Sequence, residues 1–127
     1  MLERVPLIVH IVDPDQAIAD GLRTLLHTYG MQVVYYPDAE SFLDARPDVH
    51  AGLHCLLVEA DLPDLSGPAL LQKIRDDLDD LPVLLFVSTL SPDLIAAAQN
   101  SRQIRVIEKP FVNSTLIDTL LRLQQRA

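Results

Sequence analysis

The side chains with chemistry to offer are Asp13, Asp15, Glu59, Asp61, Ser88, Thr89 and Lys109. Carboxylate oxygens suit a hard cation such as Mg²⁺, and a lysine presents a point charge to a phosphate oxygen. Gathered in one place, these groups would hold a divalent cation and a phosphoryl group side by side. Taken singly, Asp13, Asp15 and Asp61 read equally well as caps of the helices that follow them. Three acids and a lysine placed on three separate loops favour a shared site. The lysine draws attention because the chain has only two, Lys73 and Lys109.

The elements that must position these residues alternate along the chain. Leu7 to Val12 is short, apolar and β-branched, and Asp13-Pro14 ends it, so it reads as a buried strand. Residues 16 to 29 place Ile18, Leu22, Leu25, Leu26 and Tyr29 at helical spacing, with Gly30 set to end the helix. Strands are expected at Met31 to Tyr36, Leu53 to Val58, Val83 to Val87 and Ile104 to Ile107. The spacing predicts helices after Asp38, ended by Pro47; over the stretch with Leu70, Leu71, Ile74 and Leu78; from Leu94 to Gln99 behind Ser91-Pro92; and over 113 to 125, capped by Asn113 or Ser114. Strands without polar alternation, separated by helices, mean a parallel sheet covered on both faces. Five such units imply a flavodoxin-like, doubly wound α/β fold with strand order 2-1-3-4-5. Its site lies at the carboxyl ends of the strands, where the seven residues fall.

Composition narrows the classes. The 127 residues suit one domain, residues 1–127, which can fold around its own core without staples. Acidic residues outnumber basic ones 18 to 10, for a formal charge of -8, which argues against nucleic-acid binding by this domain. A single cysteine, Cys55, excludes an internal disulfide framework and fits a reducing, cytoplasmic setting; inside a strand it reads as an inert buried thiol. No apolar stretch approaches the ~20 residues that span a bilayer, and no signal peptide is read at Met1 to Pro6. His10, His27, His50 and His54 lack metal-ligand spacing, and His10 and His54 are expected to pack in the sheet. The acids at 76 to 80 read as a solvated helix end, unfavourable with the helix dipole.

Three stretches together resemble the receiver domain of two-component response regulators, the CheY-like family: Val9-His10-Ile11-Val12-Asp13, Leu62-Pro63-Asp64-Leu65-Ser66-Gly67 and Ile107-Glu108-Lys109-Pro110-Phe111. The resemblance covers essentially the whole chain. It implies a domain that takes a phosphoryl group onto an aspartate ending the third strand. Mg²⁺ would be held by two acids after the first strand, by that aspartate, and by a carbonyl two residues on. A lysine before a proline, usually cis, and a hydroxyl residue ending the fourth strand would contact the phosphate.

Residue by residue, the match is uneven. Asp13 fits the first acid of the pair, but Pro14 stands at the second, and the sequence leaves open whether Asp15 reaches the pocket. The phosphoacceptor position holds Glu59, and Asp61 falls where the metal-binding carbonyl is expected. The implied metal set is thus Asp13, Glu59 and Asp61. Counting from Pro82 puts Val87 at the hydroxyl position; a bulge would bring Ser88 there instead. Lys109-Pro110 is retained. Val106 replaces the aromatic that often precedes the lysine by three residues, and Arg102-Gln103 replaces a small Gly-Ala pair.

Glu59 is one methylene longer than aspartate, which sets its carboxylate about 1.5 Å further out and spoils in-line attack on a phosphoryl donor. It can instead reach Lys109 as an ion pair and imitate part of the phosphorylated state. Pro14 removes one carboxylate and one N–H. The first expectation is therefore an atypical receiver, not an enzyme and with no required cofactor. It would act through protein partners: an output domain, a sensor kinase or a second copy, met on the face of the fourth helix, fifth strand and fifth helix. The alternative is a phosphorylatable receiver using Asp61 or Asp15 with Mg²⁺. A flavin binder fits poorly, because Asp-Pro-Asp after the first strand repels phosphate. The end at Arg122 to Ala127 suits either a complete chain or a receiver that runs on into a DNA-binding domain.

Overall fold

Apolar strand residues point alternately to the two faces of one parallel sheet, and each face carries its own core. The structure, a computed structural model, describes residues 5–49, 51–74, 81–99, 103–110 and 113–125. The acidic stretch at 76 to 80, Leu78, His50, Arg102 and Phe111 lie outside the described residues. The elements run β1 (Leu7–Val12), α1 (Gln16–Thr28), β2 (Gln32–Tyr36), α2 (Ala39–Ala45), β3 (Leu53–Glu59), α3 (Gly67–Ile74), β4 (Val83–Val87), α4 (Pro92–Gln99), β5 (Ile104–Glu108) and α5 (Asn113–Gln125). The sheet order is β2-β1-β3-β4-β5, all pairs parallel, as the alternation of elements predicts. Leu7, Val9, Ile11, Cys55, Leu57, Leu84 and Phe86 meet α1 and α5 on one face. Val12, Leu56, Val58, Val83, Leu85 and Val87 meet α2 and α3 on the other.

Helix ends are set by chemistry close at hand. The Asp15 carboxylate accepts from the N–H groups of Ala17 and Ile18 and opens α1. At the other end Gly30 adopts φ 77°, with Gly30 N–H donating to His27 and Met31 N–H to Leu26, while Leu26 and Met31 are both buried. This is a Schellman ending, which needs a left-handed residue where Gly30 stands. Asp38 caps α2 through Ser41 N–H.

Some boundaries differ from the expected ones. Strand β3 runs on to Glu59 and β5 to Glu108, because the ladder continues: Glu59 pairs with Phe86, and Val87 with Glu108. Helix α4 starts at Pro92, where the missing N–H costs nothing in a first turn. Ile18 and Tyr29 do not face inward. The buried stripe of α1 is Ala19, Leu22 and Leu26, so Ile18 and Tyr29 sit beyond its edge and are exposed.

Gly67 brings α3 hard against the end of β3. A Cβ there would lie 2.9 Å from Ala60 Cα and 3.0 Å from the Glu59 carbonyl oxygen, and Gly67 N–H donates to the Ala60 carbonyl. Backbone on two sides leaves no room to yield. Gly67→Ala is expected to cost about 1–3 kcal/mol by overpacking, read as a lower urea midpoint with an unchanged slope.

Candidate functional site

The carboxyl ends of β1, β3, β4 and β5 form one mouth. Asp13, directly after β1, is 4% exposed. Its backbone is fixed from β2: Asp13 N–H donates to the Tyr36 carbonyl, and the Tyr35 hydroxyl donates to the Asp13 carbonyl at 2.7 Å. One carboxylate oxygen of Asp13 accepts the Asp15 N–H at 2.8 Å. Burial pushes the Asp13 carboxyl above the usual carboxylate range, although the Asp15 N–H bond and Lys109 favour its charged form; Glu59 and Asp15 add to the rise.

Glu59, the last residue of β3, is buried, and its Oε2 accepts from Lys109 Nζ. Its Oε1 accepts the Asp61 N–H at 3.4 Å. Lys109 is held in turn from β4, its N–H donating to the Val87 carbonyl at 2.8 Å, and the Lys109-Pro110 peptide is cis. The mouth therefore holds two buried carboxylates, of Asp13 and Glu59, and one ammonium.

The other expected residues scatter. The Asp15 carboxylate turns away to cap α1, and the residue is exposed, as is Pro14. Asp61 is exposed and gives its N–H to Glu59 rather than its side chain. Val87 is buried at the end of β4, with no bulge in its ladder to β5, whereas Ser88 and Thr89 are exposed. Val106 is half-buried and packs against the core on the α2 and α3 side. Among the described residues, no group of three or more His, Cys, Asp or Glu is arranged to hold a metal ion.

Two supporting residues escaped the sequence reading. Asp64 in the Pro-Asp-x-Ser-Gly loop accepts the N–H groups of Ala39 and Glu40, so the loop after β3 caps α2 from outside. Those bonds hold its carboxyl below the usual range. Its turn-forming neighbours flag a loop, and nothing local points to a helix 25 residues away. Tyr35 carries no signal at all, since its role depends on β2 lying beside β1.

A doubly wound sheet of this order, with a lysine before a cis proline facing buried acids at the strand ends, defines a receiver-type α/β domain. A family model described as response regulator receiver domain matches residues 9–121. The chain belongs to that family, the CheY-like receivers of two-component signalling. It is 30% identical over 108 residues to the transcriptional regulatory protein FixJ of Bradyrhizobium diazoefficiens, covering 85% of this chain and 52% of that protein. To FixJ of Rhizobium meliloti it is 29% identical over 117 residues, covering 92% and 56%. The chain thus spans about half the length of these relatives. The crystal structure of FixJ-N superposes with a TM-score of 0.78 at 27% identity, covering 100% of this chain and 98% of that one. A receiver domain from Clostridium thermocellum gives 0.81 at 19% identity, covering 96% of each chain, and shows the same fold. No described helix is long and apolar enough to cross a membrane.

The raised carboxyl of Asp13 has a consequence for stability. The folded state binds this proton more tightly than the unfolded state. The benefit is complete below the unfolded value of 3.8 and is lost as pH rises through the folded one. At neutral pH the buried charge therefore opposes folding. Asp13→Asn, which keeps an oxygen for the Asp15 N–H, is expected to raise the urea midpoint at about pH 7 and to bring almost no gain at about pH 3.

Proposed function

We propose that this receiver domain works as an interaction module that is independent of phosphoryl transfer, with the Glu59–Lys109 ion pair taking the place of part of a phosphorylated pocket. The observation that carries the reading is that Lys109 Nζ donates to Glu59 Oε2. The group expected to meet a phosphate oxygen is engaged by a carboxylate of the protein itself. Three further features support the reading. Glu59 stands where the family's phosphoacceptor aspartate is expected, Pro14 offers no second carboxylate, and Val87 offers no hydroxyl at the end of β4.

The same features argue against Mg²⁺. The Asp13 carboxylate, the Glu59 carboxylate and the Asp61 carbonyl are the donors on offer. Glu59 is taken by Lys109, and Asp15 is turned towards α1. A divalent cation needs several oxygen ligands free to converge, and this set does not supply them. In this reading Mg²⁺ is not required.

The output is protein contact through α4, β5 and α5, where Ile95 is exposed on α4, Leu90 on the loop before it, and Arg105, Asp118 and Arg122 on β5 and α5. Exposed apolar and charged side chains on these elements suit a protein partner: an output domain, a sensor kinase or a second copy. The named relatives are transcriptional regulatory proteins of which the match covers only about half, which favours an output domain; the single cysteine suits a cytoplasmic setting.

One experiment with two readouts tests this. After incubation with acetyl phosphate and Mg²⁺, the intact mass of the native protein is expected to show no phosphoryl adduct. The variant carrying Pro14→Asp, Glu59→Asp and Val87→Thr is expected to gain one. In parallel, Ile95→Glu is expected to weaken partner binding or self-association roughly tenfold or more. A stoichiometric adduct on the native chain, at Asp61 or Asp15, would establish the phosphorylatable reading instead.

A further inference from the structure

Away from the mouth, the sheet holds a second polar feature that the pocket does not use. His10 on β1 is 3% exposed and makes two side-chain bonds: Nδ1 to the Tyr36 hydroxyl at 3.1 Å and Nε2 to His54 Nδ1 at 2.8 Å. His54 Nε2 lies 2.8 Å from the Ala51 carbonyl oxygen. The register explains the alignment. His54 pairs with Ile8, His10 with Leu56 and Val34, and Tyr36 with Val12, so the three side chains run diagonally across one face. The two imidazoles stack at 5.1 Å between ring centres, and Phe42 of α2 packs edge-on against His10 and Tyr36.

The chemistry allows the neutral chain one arrangement. A carbonyl only accepts, so the proton of His54 sits on Nε2 and its Nδ1 is bare. His10 must then donate from Nε2, which leaves its Nδ1 bare, and the Tyr36 hydroxyl must donate to it. Each member fixes the tautomer of the next. Burial first, and the neighbouring His54 second, pull the His10 imidazole down to about 4, and burial also keeps the Tyr36 phenol protonated.

We propose that Tyr36, His10 and His54 act as a proton-operated switch beneath α2, in which one proton gained from solvent charges His54 and reverses the two bonds that link His54, His10 and Tyr36. The proton count balances. His54 then carries protons on both nitrogens, His10 Nε2 becomes an acceptor, and the single His10 proton moves to Nδ1 and is donated to the Tyr36 oxygen, whose own hydrogen turns elsewhere. A second proton has no place, because two charged rings would face each other donor to donor. Around the chain, β2 contributes Tyr36, α2 the uncharged Phe42, and the loop before β3 the Ala51 carbonyl. Among the described residues, the charged groups on the surrounding elements are the half-buried cap Asp38 and the exposed Glu40 and Asp44 of α2, Arg46 and Asp48 after it, and Lys73 of α3. The switch gives the domain an input that needs no phosphodonor, and it stands independently of how the mouth is read.

The test is ring ¹⁵N NMR of the histidines across a pH titration. At about pH 8 both rings are expected to carry their proton on Nε2. On acidification, His10 is expected to change to the Nδ1 form in step with the charging of His54, at one shared midpoint. Tyr36→Phe takes away a partner that serves both directions of the chain, so the Ala51 end alone is expected to keep the neutral His10 proton on Nε2. Further acidification towards about 4 is expected to draw on the fold's stability through His10, because a base whose value falls from 6.5 on folding supports the fold above 6.5 and loses that support as pH drops. A neutral His10 protonated on Nδ1 would overturn the proposal. So would a His54 that titrates while the His10 ring stays unchanged, or a Tyr36→Phe variant whose neutral His10 proton moves to Nδ1.

Discussion

The ion pair between Glu59 and Lys109 holds the mouth of this domain together. It reaches from the end of β3 to the loop after β5, over the end of β4 that lies between them. Each partner is also tied down by backbone, Glu59 by the Asp61 N–H and Lys109 by the Val87 carbonyl. A carboxylate buried to this degree is costly without a partner, and removing one member of such a pair leaves the other charge stranded. Glu59, Lys109 and the end of β4 are therefore one unit. Asp13 is the charge left over, and burial first, with Glu59 adding to it, holds its carboxyl above the usual range.

Strand β2 links the two polar features of the fold. Successive residues on a strand point to opposite faces, so Tyr35 and Tyr36 diverge. The Tyr35 hydroxyl fastens the Asp13 carbonyl at the mouth, while the Tyr36 hydroxyl ends the histidine chain beneath α2. The Asp64 carboxylate, reaching from the loop after β3 to the first N–H groups of α2, closes the circuit from the other side. The mouth, α2 and the buried histidines thus share one short stretch of backbone.

What was legible in the chain follows from how local each signal is. Unbroken apolar runs at Leu7 to Val12 and Val83 to Val87 announce buried parallel strands. The caps at Asp38 and Gly30 act within a few residues of their own helix, so both could be read directly. The spacing of Ile18 and Tyr29 is helical, but helical spacing leaves open which of two adjacent stripes is buried, and the small Ala19 took the inner place. Glu59 reaching Lys109 could be anticipated, because the fold rule brings the ends of β3 and β5 to one mouth. The turning of Asp15 towards α1 could not be decided, since a carboxylate after a strand serves a cap and a pocket equally well. The His10–His54–Tyr36 chain was out of reach because it depends on the register of three strands, which no single strand carries.

The account rests on the Glu59–Lys109 pair being an energetic unit, and a double-mutant cycle measures that directly. Urea unfolding of the native chain, Glu59→Gln, Lys109→Met and the double variant yields the coupling between the two side chains. The account predicts that each single change destabilises the fold, and that the double variant recovers at least about 1 kcal/mol of the summed loss, because neither charge is then stranded. Additive losses, with coupling near zero, would mean that the two groups meet without depending on each other and would contradict the claim.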